Sequence, residues 1–154
     1  MIDVMLDGVL SRDTLERAAL DLITYTPLEG VVRFRAFKTP IVMANAHIQL
    51  PNLRALTFDD TPLSVTFPNS YLVFGEKVFP SLEHVQINFA IVDDGDWSPL
   101  VTFLAGRMSS GNRLDTLVID SSPYICPEMV EDIRGMVREL RLENQHEQKP
   151  TFLR

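Results

Sequence analysis

Cysteine is almost absent from this sequence, since Cys126 is the only one among 154 residues. A single thiol excludes disulfide bonds within the chain, and no Asn-x-Ser/Thr glycosylation acceptor occurs. The opening stretch MIDVMLD carries two aspartates and no basic cluster, which argues against a secretory signal or transit peptide. These absences predict a protein of the reducing cytoplasm or nucleus.

Long apolar runs are also missing, because Pro, Asp or Arg soon interrupts each apolar stretch. No segment has the roughly 20 consecutive apolar residues of a membrane-spanning helix. Positive charge is scarce as well, with 14 Lys and Arg against 21 Asp and Glu and a formal net charge of −7. That balance disfavours nucleic-acid binding, which depends on neutralising phosphates. We expect neither a membrane nor a nucleic-acid partner.

Motifs for catalysis and cofactor binding are missing too. The seven glycines are scattered, and the three histidines lie far from one another and from Cys126, so neither a phosphate loop nor zinc-ligand spacing occurs. The DDGDW stretch at 93–97 lacks the pattern of a calcium loop and fits a solvated turn before a helix capped by Ser98. Cys126 fits a buried apolar residue better than a nucleophile. We predict no enzyme, no catalytic residue, no metal and no cofactor.

What the sequence does contain is a recurring apolar spacing, Leu-x-x-Leu-x-Leu with conservative replacements. Copies begin at Leu53, Leu82, Leu114 and Val137, and GVVRFRAF holds a degenerate one with Val32 as its middle anchor. The stretch IDVML near the start is a candidate remnant of another. The middle anchors are separated by 24, 29, 32 and 23 residues, close to the roughly 20 to 29 of leucine-rich repeats. These anchors are Val32, Leu56, Val85, Leu117 and Leu140.

The spacing has a direct structural meaning. In Leu-x-Leu, both leucines point to one face of a short strand and the residue between them points to the other. One such unit cannot bury its apolar face alone, whereas stacked units form a parallel sheet with a shared core. We therefore expect an α/β leucine-rich-repeat solenoid of about five parallel strands, with helices and irregular returns on its convex side. The predicted domain spans residues 1–142, and residues 143–154 form a polar, frayed tail.

Three of the segments that connect one strand to the next have apolar residues at helical spacing. The first, DTLERAALDLI at 13–23, opens with a capping box. The second begins at Ser98 and Pro99 and ends before Gly111, and the third begins at Pro127. Because Gly135 costs a helix interior about 1 kcal/mol, we expect the third helix to end near Arg134. The residues expected to face inward in the last two helices are Leu100, Phe103, Leu104, Met108, Met129, Val130 and Ile133.

The strand residues between the inward leucines line the opposite, concave face, which is the usual binding surface of solenoids. In the first predicted strand, Val31, Arg33 and Arg35 are assigned to this concave face. The stretch 30–58 contains no acidic residue. Arg33 and Arg35 point the same way, so both guanidinium groups can address one acidic partner. In the alternative interpretation, both arginines pair with Asp59 or another carboxylate of the chain. The predicted partner-binding residues are Arg33, Arg35, Thr57, Asp59, His84, Gln86, Asn88, Thr116 and Asp120.

FPSLEHV, DWSPLVTFLAGR and the strand LDTLVI follow one another in an order that resembles the C-terminal leucine-rich-repeat region of fungal F-box proteins. The similarity extends over most of residues 28–142. It implies protein–protein recognition by the substrate-binding part of a ubiquitin-ligase receptor. The F-box, the helical segment that binds the ligase adaptor, has no counterpart in this sequence, so the adaptor is a partner only if an F-box exists upstream.

Two alternatives remain beside this interpretation. The chain is a fragment or truncated gene product without an independent role, or it is a small α/β enzyme or ligand-binding domain whose strands only mimic repeats. Strands that lie in chain order along one sheet would separate the repeat architecture from the enzyme alternative.

Overall fold

The computed structural model describes residues 5–6, 30–37, 50–66 and 79–145. Within these ranges, six parallel strands form one sheet in which neighbours in space are neighbours in the chain. The strands are β1 (Met5–Leu6), β2 (Arg33–Phe37), β3 (Ala55–Asp59), β4 (His84–Asn88), β5 (Thr116–Asp120) and β6 (Glu139–Glu143). The α-helices in the same ranges are α1 (Leu63–Thr66), α2 (Ser98–Ser109) and α3 (Pro127–Met136). The predicted α/β class and the predicted parallel strands in chain order are confirmed.

From β2 onwards, each strand pairs with the next in the same register, so equivalent residues form straight rows across the sheet. One row consists of Phe34, Leu56, Val85, Leu117 and Leu140. A second row contains Phe58, Ile87, Ile119 and Leu142. Both rows pack into one core with side chains of α2 and α3. We call the sheet face formed by these two rows the covered face.

The covered face is almost completely shielded from solvent in the middle of the sheet. Leu56, Val85, Leu117 and Ile119 are exposed by 2% or less, as the spacing predicts. Leu140 and Leu142 are only half-buried, because β6 is the last strand of the described sheet and receives cover from one side. Burial of the covered face thus decreases from the central strands to the last strand of the described sheet.

The register corrects the frame of the first repeat. The sequence predicts Val32 as its middle anchor, but Phe34 is the residue that pairs with Leu56. Val31 is fully buried, although the sequence analysis places it on the concave face, and Val32 is exposed. The two frames differ by two residues: the predicted frame places Glu29, Val32 and Phe34 at the three anchor positions, whereas the observed register places Val31, Phe34 and Ala36 there. Because the observed frame has an apolar residue at all three positions, hydropathy favours it.

The chain leaves four of the strands through the same turn. The residue after each of β3 to β6 has a left-handed backbone conformation, with φ between 45° and 52°; these residues are Asp60, Phe89, Ser121 and Asn144. Two residues after β3 and β5, the hydroxyl groups of Thr61 and Ser122 donate to the last carbonyl of the strand, each over 2.9 Å. The repetition is therefore present in backbone geometry even where the residue types differ.

Helix α2 begins and ends near its predicted limits, but its first turn is capped differently. Oδ1 of Asp96 accepts the backbone N–H of Ser98 over 2.9 Å, and hydrogen bonds from the side chain and backbone of Ser98 lower the pKa of Asp96. At the other end, Gly111 has a φ of 77°. The N–H groups of Gly111 and Asn112 donate back to Met108 and Arg107, which is the Schellman ending of a helix.

The inward stripe of α2 contains an arginine that the sequence analysis missed. Met108 is predicted to face the core but is 44% exposed, whereas Arg107 is buried. The guanidinium of Arg107 donates to the carbonyls of Phe79 and Leu82, over 3.1 and 2.8 Å, in the turn before β4. Burial lowers the pKa of Arg107 to about 10, so the group remains charged at neutral pH. Helical spacing places Arg107 in line with Leu100, but hydropathy favours Met108.

The C-terminal part of the described chain extends beyond the predicted limits. Helix α3 ends at Met136 rather than near Arg134. Arg113 donates to the carbonyl of Gly135 in the last turn of α3 and to that of Val137 just after it. Strand β6 includes Glu143, and the two residues after it donate to Asp120 and Ile119. The predicted helix at 13–23 and the rest of the predicted tail, 146–154, lie outside the described residues.

Candidate interaction surface

The strand residues between those of the covered face form the opposite side of the sheet, which we call the open face. Its rows follow from the strand register. The first row is Arg33, Ala55, His84, Thr116 and Glu139. The second is Arg35, Thr57, Gln86, Val118 and Arg141. The third contains Asp59, Asn88, Asp120 and Glu143. The structure therefore brings all nine predicted partner-binding residues onto one surface.

Solvent exposure differs between these rows. In the first two rows, Arg33, Arg35, His84 and Gln86 are exposed, and Thr57 and Thr116 are half-buried. In the third row, Asp59 and Asn88 are buried, with 4% and 8% exposure, and Asp120 is half-buried. The expectation that Asp59 and Asn88 are open to a partner is therefore wrong. The first two rows carry the accessible part of the open face.

Asp59 is buried because side chains from both adjacent strands bind it. The guanidinium of Arg35 contacts both carboxylate oxygens, with 2.5 Å from Nε to Oδ2 and 3.0 Å from Nη2 to Oδ1. Asn88 donates to Oδ1 of Asp59 over 2.8 Å, and Gln86 donates to Oδ1 of Asn88 over 3.0 Å. A two-point contact between arginine and a carboxylate fixes orientation as well as charge. Four polar side chains from three strands thus form one network.

The network determines the charge state of its members. Burial alone would raise the pKa of Asp59, but the hydrogen bonds from Arg35 and Asn88 and the positive charge of Arg35 outweigh it, so this pKa lies below its ordinary value. The hydrogen bond and charge of Asp59 raise the pKa of Arg35 in return. The alternative weighed from the sequence, pairing with Asp59, is therefore correct for Arg35. Its charge is already compensated within the sheet.

Arg33 differs from Arg35 in this respect. It lies on the same side of β2 and is exposed, and no ion pair of Arg33 is found within the described ranges. Arg54, just before β3, lies 3.8 Å from Glu83, and both side chains are largely exposed, a geometry that contributes little. Both arginines of the predicted pair are exposed, but only Arg35 is paired with a carboxylate in the described part of the chain.

The centre of the open face is a depression of about 300 Å³. It is lined by the short side chains Ala55, Thr57, Thr116 and Val118 and by the longer side chains His84, Gln86 and Arg141. Three of these, Ala55, Val118 and Arg141, are not among the predicted partner-binding residues, although the same period-two pattern assigns them to this face. Arg141 also contacts Glu139 on its own strand, over 2.8 Å.

The structure gives little support to the other candidate sites considered from the sequence. No group of three or more His, Cys, Asp or Glu side chains suited to a metal ion occurs in the described ranges. Cys126 is exposed, contrary to its predicted burial, because it precedes α3 and lies outside its apolar stripe. His47 and His146 lie outside the described residues. None of the helices in the described part of the chain is long and apolar enough to cross a bilayer.

Comparison with known proteins yields no relative for this chain. No protein-family model matches it, and neither a curated protein nor a solved structure does. The assignment of the open face therefore rests on strand register, burial and side-chain contacts.

Proposed function

We propose that this chain is a leucine-rich-repeat recognition module whose open face binds a partner protein. The observation that carries the proposal is the stacking of six parallel strands in chain order, with matched register from β2 to β6. Repeat folds are built in this way, because each unit contacts only its neighbours. The described α2 and α3 pack against the covered face, which leaves the first two rows of the open face to present varied side chains on a rigid frame.

The dimensions of the open face also favour a protein partner. Five strands at about 4.8 Å spacing give a surface roughly 20 Å wide, enough for an extended segment of a partner. The depression of about 300 Å³ lies at the lower end of the range for small-molecule sites, about 300 to 1,000 Å³. An open depression of this size suits a protruding partner side chain better than an enclosed cofactor.

The partner's chemistry is proposed from Arg33. Because Asp59 compensates the charge of Arg35, the proposed contact for an acidic group is the exposed guanidinium of Arg33 on β2. A carboxylate or phosphate on the partner would complete a charge-assisted hydrogen bond there. The proposed partner is therefore a protein with an acidic group opposite Arg33 and a protruding side chain opposite the depression.

A role in a ubiquitin ligase is the narrower form of this proposal. It is supported by the resemblance of the ordered motifs to the repeats of fungal F-box proteins. Binding of the ligase adaptor requires an F-box, and the genomic sequence upstream of Met1 is where such a reading frame should be sought. Without one, the module binds its partner and recruits no ligase.

The enzyme alternative receives less support. In doubly wound α/β enzymes, ligands bind where the strand order reverses, and the strand order here runs from β1 to β6 without reversal. His84 is the histidine that lines the depression, and its imidazole lies 3.9 Å from Glu83, beyond hydrogen-bond distance. We therefore propose recognition rather than catalysis.

Two matched variants test the proposal. Thr116→Arg places a long cation beside the depression, and Thr102→Arg makes the same change at an equally half-buried position on α2. Proteins that co-purify with the tagged chain are identified by mass spectrometry for both variants and the wild type. We expect a partner that is lost with Thr116→Arg and retained with Thr102→Arg, at similar thermal unfolding midpoints. Retention of every partner by Thr116→Arg would contradict the proposed binding surface.

A further inference from the structure

A second surface lies at the carboxyl ends of β4 and β5. Phe89, Ile91 and Tyr124 are 56%, 43% and 51% exposed; we call these three residues the apolar rim. The N–H of Phe89 donates to the carbonyl of Asp120, and the N–H of Ala90 donates to Oγ of Ser122, each over 3.0 Å. These hydrogen bonds join the segment that follows β4 to the end of β5 and the segment after it. The apolar rim therefore includes residues from two neighbouring strand–loop units.

Phe89 occupies a backbone position that its side chain disfavours. Its φ is 52°, and the equivalent residues of the other repeats are Asp60, Ser121 and Asn144. Asparagine and aspartate tolerate this left-handed conformation, whereas bulky residues rarely adopt it. Phe89 therefore combines backbone strain with an exposed aromatic ring. Asparagine or aspartate would relieve the backbone strain at Phe89. The presence of an exposed aromatic ring there instead favours a role of the ring in contact with another molecule.

The surroundings of the apolar rim are acidic. Asp93, Asp94 and Asp96 follow Ile91 in the chain and are exposed. No Lys or Arg occurs between residues 85 and 106 or between residues 114 and 126. The charge at this end of the strands is thus opposite to that of the acid-free stretch 30–58, which supplies β2 and Arg33. This charge favours a positively charged partner at the apolar rim.

We propose that the apolar rim binds a basic segment of a partner protein, with apolar side chains between its lysines or arginines. Exposed aromatic residues are frequent anchors of interfaces, and the three aspartates favour approach of a cationic chain. A second copy of this chain is a poor occupant, because its net charge of −7 would repel the acidic surroundings. The rim and the open face consist of different residues, so the failure of either assignment leaves the other standing.

Synthetic peptides provide the test. A short fluorescent peptide of lysine and leucine is titrated with the full chain, and anisotropy reports binding; its counterpart with glutamate for lysine should not bind. Phe89→Asn should weaken binding of the lysine peptide by about tenfold or more and raise the midpoint of thermal unfolding, because asparagine accepts the left-handed backbone. Tyr124→Asn should also weaken binding. Met108→Asn, at an exposed apolar position on α2, should leave the affinity unchanged.

Several results would overturn the proposal. Equal affinities for Phe89→Asn and Met108→Asn would show that the rim is not the binding surface, as would equal binding of the glutamate peptide. A lower unfolding midpoint for Phe89→Asn would contradict the strain on which the argument rests. A dimer in analytical ultracentrifugation that Phe89→Asn abolishes would assign the rim to a second copy of the chain.

Discussion

Along β5, Leu117 and Ile119 are completely buried, whereas Thr116 and Val118, which alternate with them, are half-buried. The same alternation on β4 buries Val85 and Ile87 and exposes His84 and Gln86. The covered face carries one class of side chain in a straight register, so each repeat adds to a common core. The open face varies from strand to strand. This difference indicates that most of the stability resides in the covered face, whereas the proposed binding function concerns the first two rows of the open face.

The largest expected effect is the loss of a central covered-face leucine. Leu117→Ala should lower the free energy of unfolding by about 2 to 5 kcal/mol, because a buried leucine leaves both lost transfer energy and a cavity. Thr116→Ala, next to it on the open face, should change the stability by less than about 0.5 kcal/mol. Chemical denaturation measures both. Equal losses would break the distinction between the two faces.

The core beneath the covered face also contains one buried arginine, Arg107, whose hydrogen bonds should contribute to stability. Arg107→Met keeps an apolar stem but removes the donors to the carbonyls of Phe79 and Leu82. We expect a loss of about 1 to 3 kcal/mol, the usual range for a buried polar group that loses its partner. The matched control is Arg134→Met, on the exposed side of α3, which should be nearly neutral in the same denaturation experiment. An unchanged stability for Arg107→Met would show that the two hydrogen bonds are dispensable.

On the open face, we expect the hydrogen-bonded carboxylate of Asp59 to contribute to stability. Asp59→Asn should cost about 1 to 2 kcal/mol at neutral pH, less than a fully buried pair because the Arg35 side chain is 55% exposed. The pKa of Asp59 is lowered on folding, so its contribution is present above the unfolded pKa of about 3.9. It is lost as pH falls through the folded pKa.

Unfolding measured as a function of pH checks this assignment. The stability difference between wild type and Asp59→Asn should shrink as the pH is lowered below about 4. Thr116→Ala, which removes no titratable group, serves as the control and should show no such convergence. A difference that stays constant down to acidic pH would contradict the role of the ionised carboxylate.

The smallest expected effect on stability concerns Arg33. Arg33→Glu should change the free energy of unfolding by less than about 0.5 kcal/mol, because the side chain is exposed, but it should remove a salt-sensitive partner. Arg134→Glu reverses the same charge on the outer surface and should retain that partner. Reversal of Arg35 is unsuitable for this purpose, since it would place a second carboxylate beside buried Asp59. If Arg33→Glu retains every partner, the acidic partner chemistry is wrong.

The covered face could be predicted from the sequence because its signal is local and repeated. Period-two alternation and the Leu-x-x-Leu spacing define the buried rows around Leu117 without knowledge of distant contacts. The frame of the first repeat is predicted two residues too early, although only the observed frame has apolar residues, Val31, Phe34 and Ala36, at all three anchor positions. Arg107 was missed because its partners are backbone carbonyls about 25 residues away, which no composition pattern reveals.

The sequence predicts which residues belong to the open face but not which of them are accessible to solvent. Alternation assigns Asp59 and Asn88 to the same side as Arg33, and the structure agrees. The pairing of Asp59 depends on the diagonal reach of Arg35 across the β2–β3 pair, where Arg35 is in register with Thr57 and binds Asp59 two residues further on. Such contacts depend on side-chain length and register together, so the sequence left pairing with Asp59 as one of two alternatives.

Site-specific cross-linking from the middle of the open face tests the central proposal most directly. A photoreactive amino acid replaces Gln86, which lies in the central depression, and in a second protein it replaces Glu131, exposed on α3. After irradiation in cells, we expect a discrete cross-linked protein from position 86 that is absent from position 131 and disappears when Thr116→Arg is added. The same products from both positions, or none from position 86, would contradict recognition through the open face.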